Sequence, residues 1–187
     1  MKNILVINRK GGVGKTLLCD ELAFALDARQ IPYNFYDLDG QGGQIHEPCE
    51  MPGAAISIID TPGALQAEMG EWIKDADVIV VPMRPTTTDM PATEVTLQLI
   101  RDNAPHTPVV YVVNGVNRFR ATQEFMEFFT EEHPHDRVYL IPQSEAFVQA
   151  KLANESVQDY HPKGYPALAM KEFTDAVLGL IGVKDKI

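Results

Sequence analysis

The nine residues Asn8-Arg9-Lys10-Gly11-Gly12-Val13-Gly14-Lys15-Thr16 constrain this chain more than any other stretch. They follow directly on the apolar β-type run Ile4-Leu5-Val6-Ile7. They lead into a stretch with helical spacing, Thr16 to Arg29, in which Leu18, Leu22, Ala25 and Leu26 fall on one stripe. Strand, glycine-rich turn and helix in that order are what a phosphate-binding loop requires. Glycines let successive N–H groups turn inward on phosphate oxygens, and the helix N-terminus adds partial positive charge. In such a loop Gly11, Gly12, Val13 and Gly14 would wrap the phosphates, Lys15 would reach the β- and γ-phosphates, and the Thr16 hydroxyl would ligate Mg2+. The general expression for these loops wants glycine five positions before Gly14, where this chain has Arg9. A GxGxxG dinucleotide fingerprint is absent from the turn.

Five further β-type runs punctuate the chain: Tyr33 to Tyr36, Ile56 to Ile59, Val78 to Val81, Val109 to Val113 and Val138 to Ile141. Several are apolar on successive positions, as strands covered on both faces are. Helical spacing recurs between them: Val95, Leu99 and Ile100 within Thr93 to Arg101, Phe125, Phe128 and Phe129 after Arg120, and Phe173, Val177, Leu180 and Ile181 near the end. Alternation of strand and helix predicts an α/β fold with a mostly parallel sheet and helices on both faces. At 187 residues the chain reads as one domain, 1–187, long enough to bury roughly 70% of its unfolded surface. The loosest segments are Gly40 to Gly53 and Tyr160 to Tyr165, rich in Gly, Pro and polar residues.

Composition narrows the function classes. Apolar residues at 45% and charged residues at 22% exclude a disordered or fibrous chain. The longest unbroken apolar run, Val78 to Met83, has six residues, against about 20 for a membrane-spanning helix. Met1-Lys2-Asn3-Ile4 runs straight into the first strand, so no signal peptide is expected. Cys19 and Cys49 form no CxxC pair, and a reducing cytoplasm is the expected compartment. Sixteen basic against 26 acidic residues give a formal charge of −10. This is not the basic footprint that nucleic-acid-binding domains usually carry, although a local patch remains compatible with it.

Lys10-Gly11-Gly12-Val13-Gly14-Lys15-Thr16 resembles the deviant Walker A motif, KGGxGK[ST], of the ParA/MinD family of dimerising ATPases. Two more segments carry the resemblance. Asp37-Leu38-Asp39-Gly40-Gln41-Gly42 is similar to the family's DxDPQG, and Ile58-Ile59-Asp60-Thr61-Pro62-Gly63 to a Walker B aspartate with its switch loop. The resemblance implies a P-loop NTPase fold, ATP and Mg2+ as cofactors, and an ATP-dependent homodimer in which Lys10 reaches the partner's nucleotide, much as an arginine finger acts in trans. It implies that Asp39 orients the attacking water while Thr16, Asp37 and Asp60 organise Mg2+. Asn114, after the fifth run, matches a position that contacts the adenine ring, and Pro142 and Gln143 line the same pocket. Val81 to Asp89 resembles the loop after the family's fourth strand, with Thr88 or Asp89 expected as a helix N-cap. Ser144 to Leu152, with Ser156 and Val157, resembles a stretch of the small plasmid-partition members.

The chain departs from the family pattern in four places. Leu17, at the α-phosphate side of the loop, replaces a second hydroxyl residue. Gly40 replaces a proline, which predicts a more flexible switch before ligand binds. Only 21 positions separate Asp39 from Asp60, where many relatives carry an extra helix. No DNA-reading domain precedes the first strand, so a minimal version of the family is expected.

The leading function is therefore a plasmid-partition ATPase whose ATP dimer binds nonspecific DNA and is discharged by a centromere-bound adaptor. Arg118, Arg120, Lys151, Lys163 and Lys171 are its candidate DNA-facing residues. The alternative keeps the switch but moves a protein cargo, in positioning or conjugation, without touching DNA. An iron–sulfur carrier would need paired cysteines. Membrane-bound division-site selection would need a basic terminal helix, whereas this helix carries Lys171 with Glu172 and Asp175, and Lys184 and Lys186 fall beyond it. No membrane partner is expected, and the helix should pack on the sheet. His46-Glu47-Pro48-Cys49-Glu50 lacks a second ligand cluster and reads as loop. His133-Pro134-His135 reads as a polar turn, and Trp72 as a core or interface anchor.

Overall fold

The structure, a computed structural model, describes residues 1–40, 42–63 and 68–184. Gln41 of the second motif and Lys186 lie outside them. The strands are β1 (Lys2–Val6), β2 (Tyr33–Asp37), β3 (Cys49–Glu50), β4 (Ile56–Asp60), β5 (Val78–Met83), β6 (Val109–Val116) and β7 (Arg137–Pro142). They form one sheet in the order β3-β2-β4-β1-β5-β6-β7. Every pairing is parallel except β2 with β3. The helices are α1 (Lys15–Ala28), α2 (Met69–Lys74), α3 (Met90–Asn103), α4 (Arg120–Glu132), α5 (Ala146–Ala153), α6 (Val157–Tyr160) and α7 (Tyr165–Leu180). The mostly parallel α/β class expected from the alternation is the fold observed. All six predicted runs became strands. The seventh, β3, is only two residues long, too short to carry a periodic signal.

The unbroken apolar runs have a direct physical cause. Successive side chains of a strand point to opposite faces, and both faces here are covered. Ile4, Val6, Val78, Val80, Val110 and Val112 pack with α1 and α7 on one side. Leu5, Ile7, Ile79, Val81, Tyr111 and Val113 pack with α2, α3 and α4 on the other. Full burial of each such side chain stabilises by roughly 1.5–3 kcal/mol before the entropy of ordering is set against it. The terminal helix packs as expected, with Phe173 and Val177 fully buried. Trp72 packs half-buried against the second cluster.

Two predicted helical stripes are corrected. On α3 the buried residues are Thr93, Thr96, Leu97 and Ile100, and Val95 is 39% exposed. The helix is rotated because its two threonines are hydrogen-bonded to the glycine-rich loop. On α4, Phe125 and Phe129 stack at 5.7 Å inside the core, while Phe128, one helical step away, is half exposed. His133 does not simply turn the chain: its ring stacks on Phe129 at 4.4 Å and its Nδ1 meets Asp136 at 2.7 Å.

The segment read as loose, Gly40 to Gly53, is pinned at one point. The buried Asp20 carboxylate accepts the backbone N–H groups of Ile45 and His46, and His46 Nδ1 lies 2.9 Å from it. His46 Nε2 reaches Asp27 at 3.3 Å, with Phe24 edge-on at 4.3 Å. Burial alone would lower the His46 pKa, but hydrogen bonds and charge from Asp20 and Asp27 outweigh it and raise the group above 6.5. The folded state therefore binds this proton more tightly than the unfolded one. The resulting stability is complete below pH 6.5 and is lost as pH rises through the folded value. We expect thermal stability to fall across that rise, and His46→Ala to flatten the dependence. A wild-type profile identical to that of His46→Ala would refute the clasp.

Candidate functional site

The glycine-rich loop leaves the C-terminal end of β1, which lies between β4 and β5. The chain crosses to β2 on one side and to β5 on the other, so the loop opens at the point where strand connections diverge and ligands of open α/β sheets bind. Gly12 and Gly14 have φ of +72° and +100°, a left-handed region that side chains disfavour. At Gly14 a Cβ would also stand 2.2 Å from Asn114 Nδ2, which donates to the Val13 carbonyl at 3.0 Å.

Residues without a sequence signal brace this loop. Asn8 is fully buried, and its Nδ2 donates to the Pro82 carbonyl at 2.8 Å and to Thr93 Oγ1 at 3.0 Å. Its Oδ1 accepts the Lys10 N–H at 2.9 Å. The Arg9 N–H donates to Thr96 Oγ1 at 3.1 Å. Gly63 approaches from the far side, where a Cβ would lie 3.3 Å from Gly11 Cα and N. The Asn and Thr positions were not legible because buried polar residues have no periodicity of their own.

Register brings the acidic residues together. Val6, Asp60 and Asp37 are neighbours across β1, β4 and β2. Thr16 Oγ1 donates to Asp60 Oδ2 at 2.6 Å, while Asp60 Oδ1 is buried without a hydrogen-bond partner. Burial pushes the Asp60 carboxyl up to about 6 against the opposing hydrogen bond from Thr16 and the charge of Lys15, with repulsion from Asp37 and Asp39 added. An orphaned, desolvated carboxylate oxygen beside a hydroxyl and a second carboxylate fits a small oxygen-seeking cation. Asp37 also folds its own loop: Oδ1 accepts the Asp39 and Gly40 N–H groups at 2.9 and 3.0 Å, and Oδ2 accepts Gln44 Nε2 at 3.0 Å. Asp39 lies near enough to Lys15 and Asp60 to act on both electrostatically.

The two lysines of the loop differ in environment. Lys15 is 6% exposed, and burial pulls its ammonium below its ordinary pKa while Asp60 and Asp39 oppose the shift. Lys10 is partly exposed and rests on the buried Asp89 carboxylate, Nζ to Oδ1 3.4 Å. Asp89 occupies the N-cap position of α3 yet makes no capping hydrogen bond, and Thr88 makes none either. This corrects the capping expectation. The carboxylate is used by Arg84, whose Nε and Nη2 donate at 2.7 and 3.1 Å. Burial would raise the Asp89 pKa, but Arg84 and Lys10 hold it below the usual carboxylate range.

Beside the loop lies an open cavity of about 530 Å³ lined by Gly12, Arg84, Thr88, Asn114, Asn117 and Gln143, among others. Gln143 is exposed and its Oε1 accepts Asn117 Nδ2 at 3.0 Å, and Pro142 ends β7 alongside. Leu17 sits apart from this cavity, in a small pocket with Asp20, Glu21 and Phe147. There Glu21 binds the Ser156 hydroxyl at 2.6 Å and the Val157 N–H at 2.9 Å, fastening α1 to the start of α6.

Fold and loop together define a phosphate-binding α/β domain of the P-loop class. Residues 4–157 match the CobQ/CobB/MinD/ParA nucleotide binding domain, and the chain belongs to that family. No curated protein matches. Among solved structures, an aspartate-to-alanine variant of McdA from Cyanothece in complex with ATP is similar at TM-score 0.76 and 16% identity, with 100% of this chain and 98% of that one covered. The MinC:MinD cell division protein complex of Aquifex aeolicus gives TM-score 0.76 at 13% identity, covering 100% and 99%. Cobyrinic acid a,c-diamide synthase from Mycobacterium smegmatis, with ADP and magnesium, gives 0.69 at 17%, covering 95% and 94%. Among the described residues no helix is long and apolar enough to cross a membrane.

Proposed function

We propose that this chain is an ATP-dependent dimerising ATPase with Mg2+ as cofactor, and that its ATP dimer partitions DNA under the control of a centromere-bound adaptor. The observation that carries the ATPase reading is the junction beside the glycine-rich loop, where Lys15 and Thr16 at the start of α1 face Asp60 at the end of β4, one of whose oxygens is bound by Thr16 and the other orphaned. Solved relatives that hold ATP, or ADP with magnesium, support the choice of cofactors. Thr16, Asp37 and Asp60 would hold Mg2+, which neutralises charge on the phosphate oxygens. Gly11, Gly12, Val13, Gly14 and Lys15 bind the phosphates through backbone N–H groups and one buried ammonium. Leu17 borders the loop, and Asn114, Pro142 and Gln143 form the wall for the base. Asp39 orients a water that attacks the γ-phosphorus, and the bond to ADP breaks as phosphate leaves. Lys10 stabilises that charge from the opposite subunit.

A specific observation favours a second cargo reading. Arg120 is paired with Glu124, Lys171 with Asp175, and Lys151 with the Gly43 carbonyl. Three of the five candidate DNA-facing cations are thus engaged locally, in a chain of net charge −10. A positioning ATPase that moves a protein cargo needs no such cations.

Fluorescence anisotropy of labelled nonspecific duplex DNA against the Asp39→Ala protein separates the two. Partition predicts binding in Mg-ATP and none in Mg-ADP. The log–log salt slope should be about −3.6 if some four phosphates are neutralised. An ATP dimer seen by light scattering that leaves the DNA free would transfer the proposal to a protein cargo.

A further inference from the structure

We infer that the free edge of β7 is a docking groove for an extended segment of a partner protein, added as an eighth strand and carrying a basic residue opposite Glu172. Among the described residues β7 ends the sheet, and one of its edges has no neighbouring strand. Gln143 N–H donates inward to the Val116 carbonyl. Residues of a parallel strand alternate in the edge they address, so Val138 and Leu140 turn their N–H and C=O groups outward. Pro142, next in that series, has no N–H to offer, which sets the end of the free ladder. An exposed row of this kind is a template for another strand.

The row is not bare. A groove of about 410 Å³ runs beside it, floored by Tyr139 and Leu140 of the strand and walled by Tyr165, Leu168, Ala169 and Glu172 of α7. These α7 positions recur at three- and four-residue spacing, so one face of the helix looks onto the strand edge. Tyr165 is 64% and Leu168 54% exposed, apolar area without a covering element among the described residues. A strand edge beside a helix is the arrangement in which peptides bind by strand addition, with main-chain hydrogen bonds giving affinity and alternate side chains entering the groove.

Charge selects the occupant. No hydrogen bond or ion pair holds Glu172 among the described residues, while the next acidic residue on that helix, Asp175, is taken by Arg29 and Lys171. A second copy of this chain would bring another Glu172 and another −10 to the interface. A Lys- or Arg-bearing segment of a different protein is attracted instead. The groove lies outside the phosphate site, and the inference does not depend on the proposed ATPase cycle.

The test uses a fluorescein-labelled heptapeptide, Lys-Val-Thr-Val-Thr-Val-Lys, a counterpart with glutamate at both ends, and a basic version N-methylated at alternate residues. We expect saturable anisotropy for the basic peptide alone, with a dissociation constant of the order of 10–100 μM, and slowed hydrogen exchange at Val138 and Leu140. Leu168→Asp should weaken it about tenfold. Glu172→Lys should exchange the preference from the basic to the acidic peptide. Both positions are exposed, and an unchanged melting curve establishes that each variant is folded. Absence of saturable binding, or binding that survives N-methylation and both substitutions, would overturn the inference. Nucleotide-independent dimerisation in sedimentation, abolished by Leu168→Asp, would overturn it in favour of a second copy.

Discussion

Lys15→Ala is expected to lower Mg-ATP affinity by about 100-fold, or ~2.7 kcal/mol, in isothermal titration calorimetry. The lysine stands on the first residue of α1, buried against the loop, with Nζ 3.4 Å from the Lys10 carbonyl. Its burial already disfavours the charged form, and Asp60 and Asp39 only partly offset that. A polyphosphate brings the missing negative charge into the same desolvated space, where Coulomb attraction is least screened. The fold should suffer less than the affinity, because burial already penalises the charged lysine in the ligand-free protein and Asp60 keeps its hydrogen bond from Thr16. A variant that keeps its melting curve but loses nucleotide is the expected result. Wild-type affinity in Lys15→Ala would remove the phosphate-loop assignment altogether.

Lys10→Ala should behave in the opposite sense, leaving Mg-ATP affinity within about threefold of wild type (~0.65 kcal/mol) while abolishing the ATP-dependent dimer in light scattering. The argument lies in what Lys10 touches. Its ammonium makes a single long contact to Asp89, which keeps two shorter hydrogen bonds from Arg84 when Lys10 leaves. Lys10 is itself 38% exposed, and the buried Asp89 carboxylate keeps Arg84 when it leaves, so the side chain is released at small cost to reach a partner's phosphates. Charge supplied in trans to a transferring phosphoryl group is worth orders of magnitude in rate. Turnover should therefore fall with the dimer. A normal ATP dimer in the variant would count against the trans role and leave Lys10 as a surface residue tethered to Asp89.

The contrast between these lysines shows which features a chain states locally. Both belong to one seven-residue motif, and the sequence places both on the loop. Only the packed structure distinguishes a buried ammonium between aspartates from a surface one leaning on α3. Asp89 makes the same point. By position it reads as a helix cap, and by contact it is the anion shared by Arg84 and Lys10.

By itself the sequence determined the strand–loop–helix at the N-terminus, the six main strands and the α/β class, because these rest on local conformational freedom and on periodicities of two and 3.6 residues. It also marked Asp37, Asp39 and Asp60 as strand-end acids. Tertiary structure alone decided that Asp60 joins Thr16, that Asn8, Thr93 and Thr96 brace the loop, that His46 clasps Asp20, and that β7 is the last strand of the sheet among the described residues. Each of these pairs residues distant in the chain, or depends on strand order. Such contacts arise from how layers stack, and a pattern that repeats every few residues carries no record of which strand will lie beside which.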